Sequence, residues 1–178
     1  MPKYEEAHKE HINKYKMAHM IGVAEYMRER AEDYGIDPNA AYAIGLLHDI
    51  GYLVGRNEHE KKGADILLSL GITEDSETYN AIKYHGSDLY SIAPSEVSRL
   101  LVLTCEADLS VDSSGHRVGF DKRLENIAQN NQGTDYVEIA VKTAARTIQF
   151  IKEYQQTYDI PKPPKGFFHK DRNENRDR

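Results

Sequence analysis

The 178-residue chain is long enough for one domain with a sizeable core, and its formal charge of −6 argues against a general nucleic-acid grip, which needs a basic surface. A single cysteine, Cys105, excludes an internal disulfide and a thiolate metal cluster, and it fits a reducing compartment. The polar N-terminus MPKYEEAHKEHINKYK lacks the apolar centre of a secretory signal, and no window reaches the length of a membrane span. A soluble, cytoplasmic protein with no membrane partner is therefore expected.

Apolar residues recur at helical spacing almost throughout, and alternating strand patterns are scarce. The first helix is expected from about Glu5 or His11 to Tyr34, with an inner stripe of Ile12, Tyr15, His19, Val23, Met27 and Ala31. Gly35 stops it. Asp37 caps a second helix and Pro38 takes its first position; that helix ends near Asp49, and Gly51 and Gly55 follow. A third covers about Glu60 to Leu70. Thr73 or Asp75 can cap a fourth over Ser76 to Tyr84, closed by His85-Gly86. Pro94-Ser95 opens a fifth, with the inner stripe Val97, Leu101, Thr104 and Asp108. Residues 110–119 read as a loop. A sixth helix spans about Asp121 to Asn130, and Thr134 caps a seventh running to about Tyr158. The prolines 161, 163 and 164 end the regular structure, before a charged tail without apolar content. The expected architecture is all-α: a compact orthogonal bundle of six to eight helices over residues 1–160, with 161–178 a partly disordered tail.

Inside this bundle several charged or imidazole side chains fall where apolar ones belong. His48-Asp49 closes the run AAYAIGLLHDIGYL, with Ile44, Leu47 and His48 on one face. Asp49 sits at a helix end, where the dipole disfavours an anion and a cation would offset the cost. Taken alone, the pair is better explained by a satisfied core histidine and a surface turn aspartate. His19 lies on the apolar stripe of the first helix and Asp108 on that of the fifth; each needs a partner if buried. Three helices presenting ligand-type residues inward make coincidence the weaker account. His59 and His85 flank the same turn, as second-metal ligands, phosphate donors or plain cap and turn residues. His8, His11, His116 and His169 read as solvated.

In this order, His19, then His48-Asp49, then Asp108, the chain resembles the HD-domain superfamily of metal-dependent phosphohydrolases. The resemblance covers about Ala18 to Asp108, and LLHDIGY is its most specific segment. It implies an all-α bundle and a metal bound by His19, His48, Asp49 and Asp108. HEKKGADILLSLG and KYHG look like the additional histidine segments of members with larger ligand sets, which places His59 and His85 as possible ligands of a second ion. Two departures stand out. Many relatives have a Lys shortly after the His-Asp pair, where this chain has Tyr52 and Arg56. The Gly-Tyr-Pro signature of the cyclic-dinucleotide phosphodiesterase branch is absent. The spacing and extra histidines are similar to the small bacterial dinucleotide-polyphosphate hydrolases.

Nitrogen and carboxylate ligands without thiolate suit Mn, Fe, Ni, Co or Zn, as one ion or as two bridged by Asp49. A bound dication also reconciles an acidic protein with a small phosphorylated substrate such as a nucleotide. Asp49 is the central catalytic group on this reading. Arg56, Lys61 and Lys62 can neutralise a leaving group, although a solvated charge run explains them equally well; Arg56, His59 and His85 are the candidate substrate contacts. Asp112 can assist Asp108 or bind a ribose hydroxyl, with loop capping the blander role, and Cys105 reads as core. The expected function is hydrolysis of a nucleotide or related small phosphate ester. The rivals are a metal- and nucleotide-binding sensor without turnover, a structural helical protein with core histidines, and an HD-type di-iron oxygenase.

Overall fold

The computed structural model describes residues 2–55, 58–86, 89 and 93–169, with side chains from residue 16 to 168 within those spans. Among the described residues seven α-helices follow one another: α1 (Pro2–Arg30), α2 (Pro38–Leu47), α3 (His59–Ser69), α4 (Glu77–Tyr84), α5 (Arg99–Asp108), α6 (Gly119–Asn130) and α7 (Val137–Thr157). Short 3-10 turns cover Ala31–Tyr34, Ile50–Leu53, Pro94–Glu96 and Phe167–His169. Among the described residues the only extended pairing is an isolated bridge between Val111 and Arg117. The fold is the all-α bundle that the periodicity predicts.

The helix ends follow from local chemistry. Asp37 accepts hydrogen bonds from the backbone N–H groups of Asn39 (3.0 Å) and Ala40 (2.8 Å), and Pro38 occupies the position whose missing N–H costs nothing. Gly35, at φ 67°, closes the turn after α1. Other expected starts are corrected. Ser76, accepting from Tyr79 N at 3.1 Å, caps α4, while the Thr73 hydroxyl is occupied by Asp75. Pro94 opens only a 3-10 turn, and Ser98 caps α5 through Leu101 N at 3.2 Å. Thr134 spends its hydroxyl on the Asn131 carbonyl at 2.7 Å, so α7 begins at Val137. Regular structure also resumes beyond the prolines, in the turn at Phe167–His169.

The core is organised around α5, in which every residue from Leu100 to Ala107 is buried. A helix buried all round, and mostly apolar, belongs in the middle of a bundle. Val23, Tyr26 and Met27 of α1, Ile44 of α2, and Ile148, Ile151 and Tyr154 of α7 share its cluster. His19, Val23 and Met27 of α1, and Ala31 in the turn after it, are buried along the expected stripe; Ile12 and Tyr15 fall outside the described side chains.

A glutamate and an arginine are taken into this core. Glu106 is 1% exposed and accepts hydrogen bonds from Tyr26 (2.9 Å) and Tyr34 (2.5 Å), with the Arg30 guanidinium 3.5 Å away. Arg30 also donates to the Pro161 carbonyl at 2.6 Å and pairs with Asp33. Gln155 of α7 donates to the Tyr34 hydroxyl at 2.9 Å. Because a buried carboxylate is costly without such donors, the cluster ties α1, α5, α7 and the C-terminal segment into one arrangement. Burial and Glu106 together push the Tyr26 and Tyr34 hydroxyls far above the ordinary tyrosine range, so both stay protonated as donors.

Candidate metal centre

Two close approaches of backbone set the site. A Cβ on Gly51 would lie 1.8 Å from the His59 carbonyl oxygen, so only glycine lets the start of α3 close onto the turn after His48-Asp49. A Cβ on Gly22 would lie 2.5 Å from the Gly115 oxygen, so the loop after α5 lies flat on α1. The loop is closed by Asp112, whose Oδ1 accepts from the backbone N–H of Ser114 (2.8 Å) and His116 (2.9 Å).

These contacts fix the histidines. A backbone carbonyl can only accept, so the ring nitrogen facing it must carry the proton. His48 Nδ1 donates to Gly45 O at 2.7 Å, His85 Nδ1 to Ile82 O at 2.7 Å, and His19 Nδ1 to Asp112 O at 3.0 Å. Wherever such a ring is unprotonated at Nε2, its lone pair points inward, the arrangement in which an outer hydrogen bond orients a metal-binding imidazole. Cys105, buried as expected, donates its thiol to the His85 carbonyl at 3.2 Å.

The inward atoms converge on Asp49. Its Oδ1 faces His59 Nε2 (3.1 Å) and His85 Nε2 (3.7 Å). Its Oδ2 faces His48 Nε2 (3.5 Å) and His19 Nε2 (4.0 Å). Two compact groups result, His19–His48–Asp49 and Asp49–His59–His85, each with one ligand atom per residue inside 4.8 Å, and Asp49 belongs to both. Asp108 reaches the first group through His19, with Oδ1 2.9 Å from Nε2. The remaining histidine with described side chain, His116, is exposed and lies 3.6 Å from Asp112.

The donor set fits a divalent cation. His48 Nε2 is buried with no hydrogen-bond partner, an orphaned lone pair facing an anion. His19 presents both ring nitrogens to acceptors, Asp112 O and Asp108 Oδ1, so a proton or a cation must lie between Nε2 and the carboxylate. Burial lowers the His48 pKa to about 4, which keeps this ring neutral at physiological pH. Burial alone would raise the Asp49 carboxyl, but His48, hydrogen bonds from His59 and His85, and Lys16 hold it well below the usual carboxylate range. Asp108 is likewise held low by His19 and Arg123 against the effect of burial. Both carboxylates are therefore anionic and ready to bind a cation.

Three side chains around the site escape the sequence reading. Lys16 places Nζ 2.8 Å from Asp49 Oδ2; it lies three residues before His19, hence on the same helix face, a spacing that could have found it. Arg123 of α6 brackets Asp108, with Nε 3.2 Å from its carbonyl oxygen and Nη2 3.4 Å from Oδ1. Glu60 Oε2 lies 3.2 Å from His59 Nδ1. Of the expected cations, Arg56 lies outside the described residues. Lys62 is half-buried with its ammonium against Gly55, and among the described residues no hydrogen bond or ion pair joins it to Asp49 or the histidines.

The HD domain family model matches residues 17–109, and the chain belongs to this family. Curated relatives include Ribonuclease Y of Acetivibrio thermocellus, 32% identical over 131 residues (68% of this chain, 24% of the relative). Ribonuclease Y of Petrotoga mobilis is 28% identical over 152 residues, covering 80% of this chain and 28% of the relative. The chain thus spans about a quarter of the length of these relatives. No solved structure matches it. Family and relatives together point to a hydrolase. Among the described residues no helix is long and apolar enough to cross a membrane.

Proposed function

We propose that this chain is a metal-dependent phosphohydrolase acting in the cytoplasm on a nucleotide or related small phosphate ester. The observation that carries this reading is the division of Asp49, one oxygen toward each of two histidine groups. His19, His48, Asp49 and Asp108 would hold one ion, and Asp49, His59 and His85 a second. Mn, Fe, Ni, Co and Zn all suit this nitrogen and oxygen set.

When bound, such an ion supplies an acidified water and a polarised phosphoryl oxygen. The protein's own part is to hold the reactants. Gly45, Ile82 and Asp112 keep the Nδ1 protons in place, so the rings cannot turn their lone pairs away. Arg123 anchors Asp108 at Oδ1, the oxygen that also meets His19. His59 and His85, where they are not ligands, would donate to phosphoryl oxygens, and Arg56 and Lys62 would neutralise the departing oxygen. In the reaction the water oxygen forms the new P–O bond, the ester P–O bond breaks, and the leaving oxygen takes up a proton.

The relatives' name favours a second reading, in which the ester is an RNA phosphodiester. The net charge of −6 favours the small substrate, because long RNA demands a basic surface. The test is a hydrolysis screen of nucleotides, dinucleotide polyphosphates, general phosphoesters and short RNA, with Mn, Fe, Co and Ni supplied separately. Turnover of a small ester with at least one metal, lost in Asp49→Asn, is expected. Binding of metal and nucleotide without turnover would make the protein a sensor; absence of both would refute the reading.

A further inference from the structure

We propose that Lys16 is a phosphate-binding residue of this site, held on Asp49 until a metal ion engages that carboxylate. The inference rests on the functional reading above and adds to it a substrate-contacting cation. Lys16 Nζ lies 2.8 Å from Asp49 Oδ2, the same oxygen that faces His48 Nε2 at 3.5 Å and His19 Nε2 at 4.0 Å. The ammonium therefore borders the His19–His48–Asp49 group. Its side chain is 31% exposed, whereas Asp49 is 4% exposed, so Lys16 forms the solvent-side edge of that group.

A dication placed among these three ligands would bond Asp49 Oδ2 at about 2.0–2.2 Å. An ammonium resting on the same oxygen would then face a like charge of twice its own within a few ångströms, across a poorly solvated gap. Lys16 is built to yield. Its charge sits on a flexible four-carbon stem, and its ammonium already lies 3.6 Å from the centre of the Tyr52 ring. That ring is braced in turn by His59, with centroids 4.1 Å apart and planes 31° apart. Tyr52 thus gives the cation a contact that needs no anion and is kept when Asp49 is taken. Its partly exposed ammonium then has N–H donors free of Asp49 to offer a phosphoryl oxygen at the solvent-side edge of the group. Two other described cations have partners of their own: Arg123 is paired with Asp108 and Arg117 with Glu29.

This dual placement makes metal and phosphate binding respond in different directions. The full chain is prepared as wild type, Lys16→Met, Lys16→Gln and Lys16→Arg. Mn2+ binding is titrated by the electron paramagnetic resonance of the free ion, and inorganic phosphate binding to the Mn2+-loaded protein by calorimetry. Lys16→Met and Lys16→Gln should bind Mn2+ at least as tightly as wild type, because a competing cation has gone. Their affinity for phosphate should fall by about tenfold or more, as expected for a lost hydrogen bond to a charged group. Lys16→Arg should recover most of it. Weaker Mn2+ binding by the Met and Gln variants would overturn the proposal, showing that Lys16 only supports the ligands. So would unchanged phosphate affinity. Wild type that binds Mn2+ and phosphate, with variants indistinguishable from it, removes Lys16 alone; no Mn2+ binding by wild type or any variant overturns the Lys16 proposal together with the Mn2+ form of the phosphohydrolase reading.

Discussion

Asp49→Asn isolates the shared carboxylate. The amide keeps the volume of the side chain but removes the charge that both histidine groups use. Because Oδ1 serves His59 and His85 while Oδ2 serves His19 and His48, both groups should fail together. For wild type at a free metal concentration of one hundred times Kd, binding to the native state alone contributes about 2.7 kcal/mol. A chain of this size gains about 2–4 °C in Tm per kcal/mol, so loading should raise Tm by roughly 5–11 °C. Asp49→Asn should lose nearly all of that increment, and its metal-free form should remain folded, since the core cluster around α5 is untouched. Differential scanning calorimetry with and without Mn2+, beside metal analysis of the dialysed proteins, reads both quantities. Asp49→Asn with an undiminished metal-dependent increment would refute the claim that this carboxylate joins the two groups.

His85→Ala should leave about half the metal of a two-ion wild type, because the His19–His48 side is preserved, and elemental analysis reads this directly. If metal content is retained while turnover falls, His85 contacts substrate instead. Gly51→Ala should push α3 away from the turn, since the added carbon meets the His59 carbonyl at 1.8 Å; a loss of about 1–3 kcal/mol in urea unfolding is expected, with weaker binding of a second ion. Glu106→Ala should cost about 3–5 kcal/mol by removing the acceptor of the Tyr26 and Tyr34 hydroxyls and leaving Arg30 with the carboxylate of Asp33 alone, hence roughly 6–20 °C of Tm. An unchanged transition in that variant would show that the tyrosine–glutamate cluster contributes little.

The parts of the site that can be read in advance are those where a polar residue interrupts an apolar period. His19 and His48 stand out because their neighbours at helical spacing are apolar, and both are buried. Asp37 is legible because it is followed by proline at the first helical position. Glu106 is hidden for the opposite reason: α5 is buried on all sides, so the sequence has no polar face against which a buried charge would look misplaced. Lys16 is hidden by company, one lysine in a polar run with several others. Its role depends on Asp49 and Tyr52, which lie more than thirty residues away in the chain. The misplaced caps share another cause. Thr73 and Thr134 are the right residue type, but their hydroxyls are taken by Asp75 and Asn131, and that competition is settled only once the chain is folded.

The Pro161 carbonyl bears on how short a working version of this protein can be made. It accepts from Arg30 at 2.6 Å, and a few residues later Phe167, only 7% exposed, stacks edge-on against Tyr26 with ring centroids 5.0 Å apart. A chain cut after residue 160 would lose an acceptor for a guanidinium that is itself only 1% exposed, and would uncover one side of Tyr26. A cut after residue 169 removes none of these contacts. The shortest version that keeps the bundle intact is therefore set by two residues of a segment whose prolines and charges make it look dispensable.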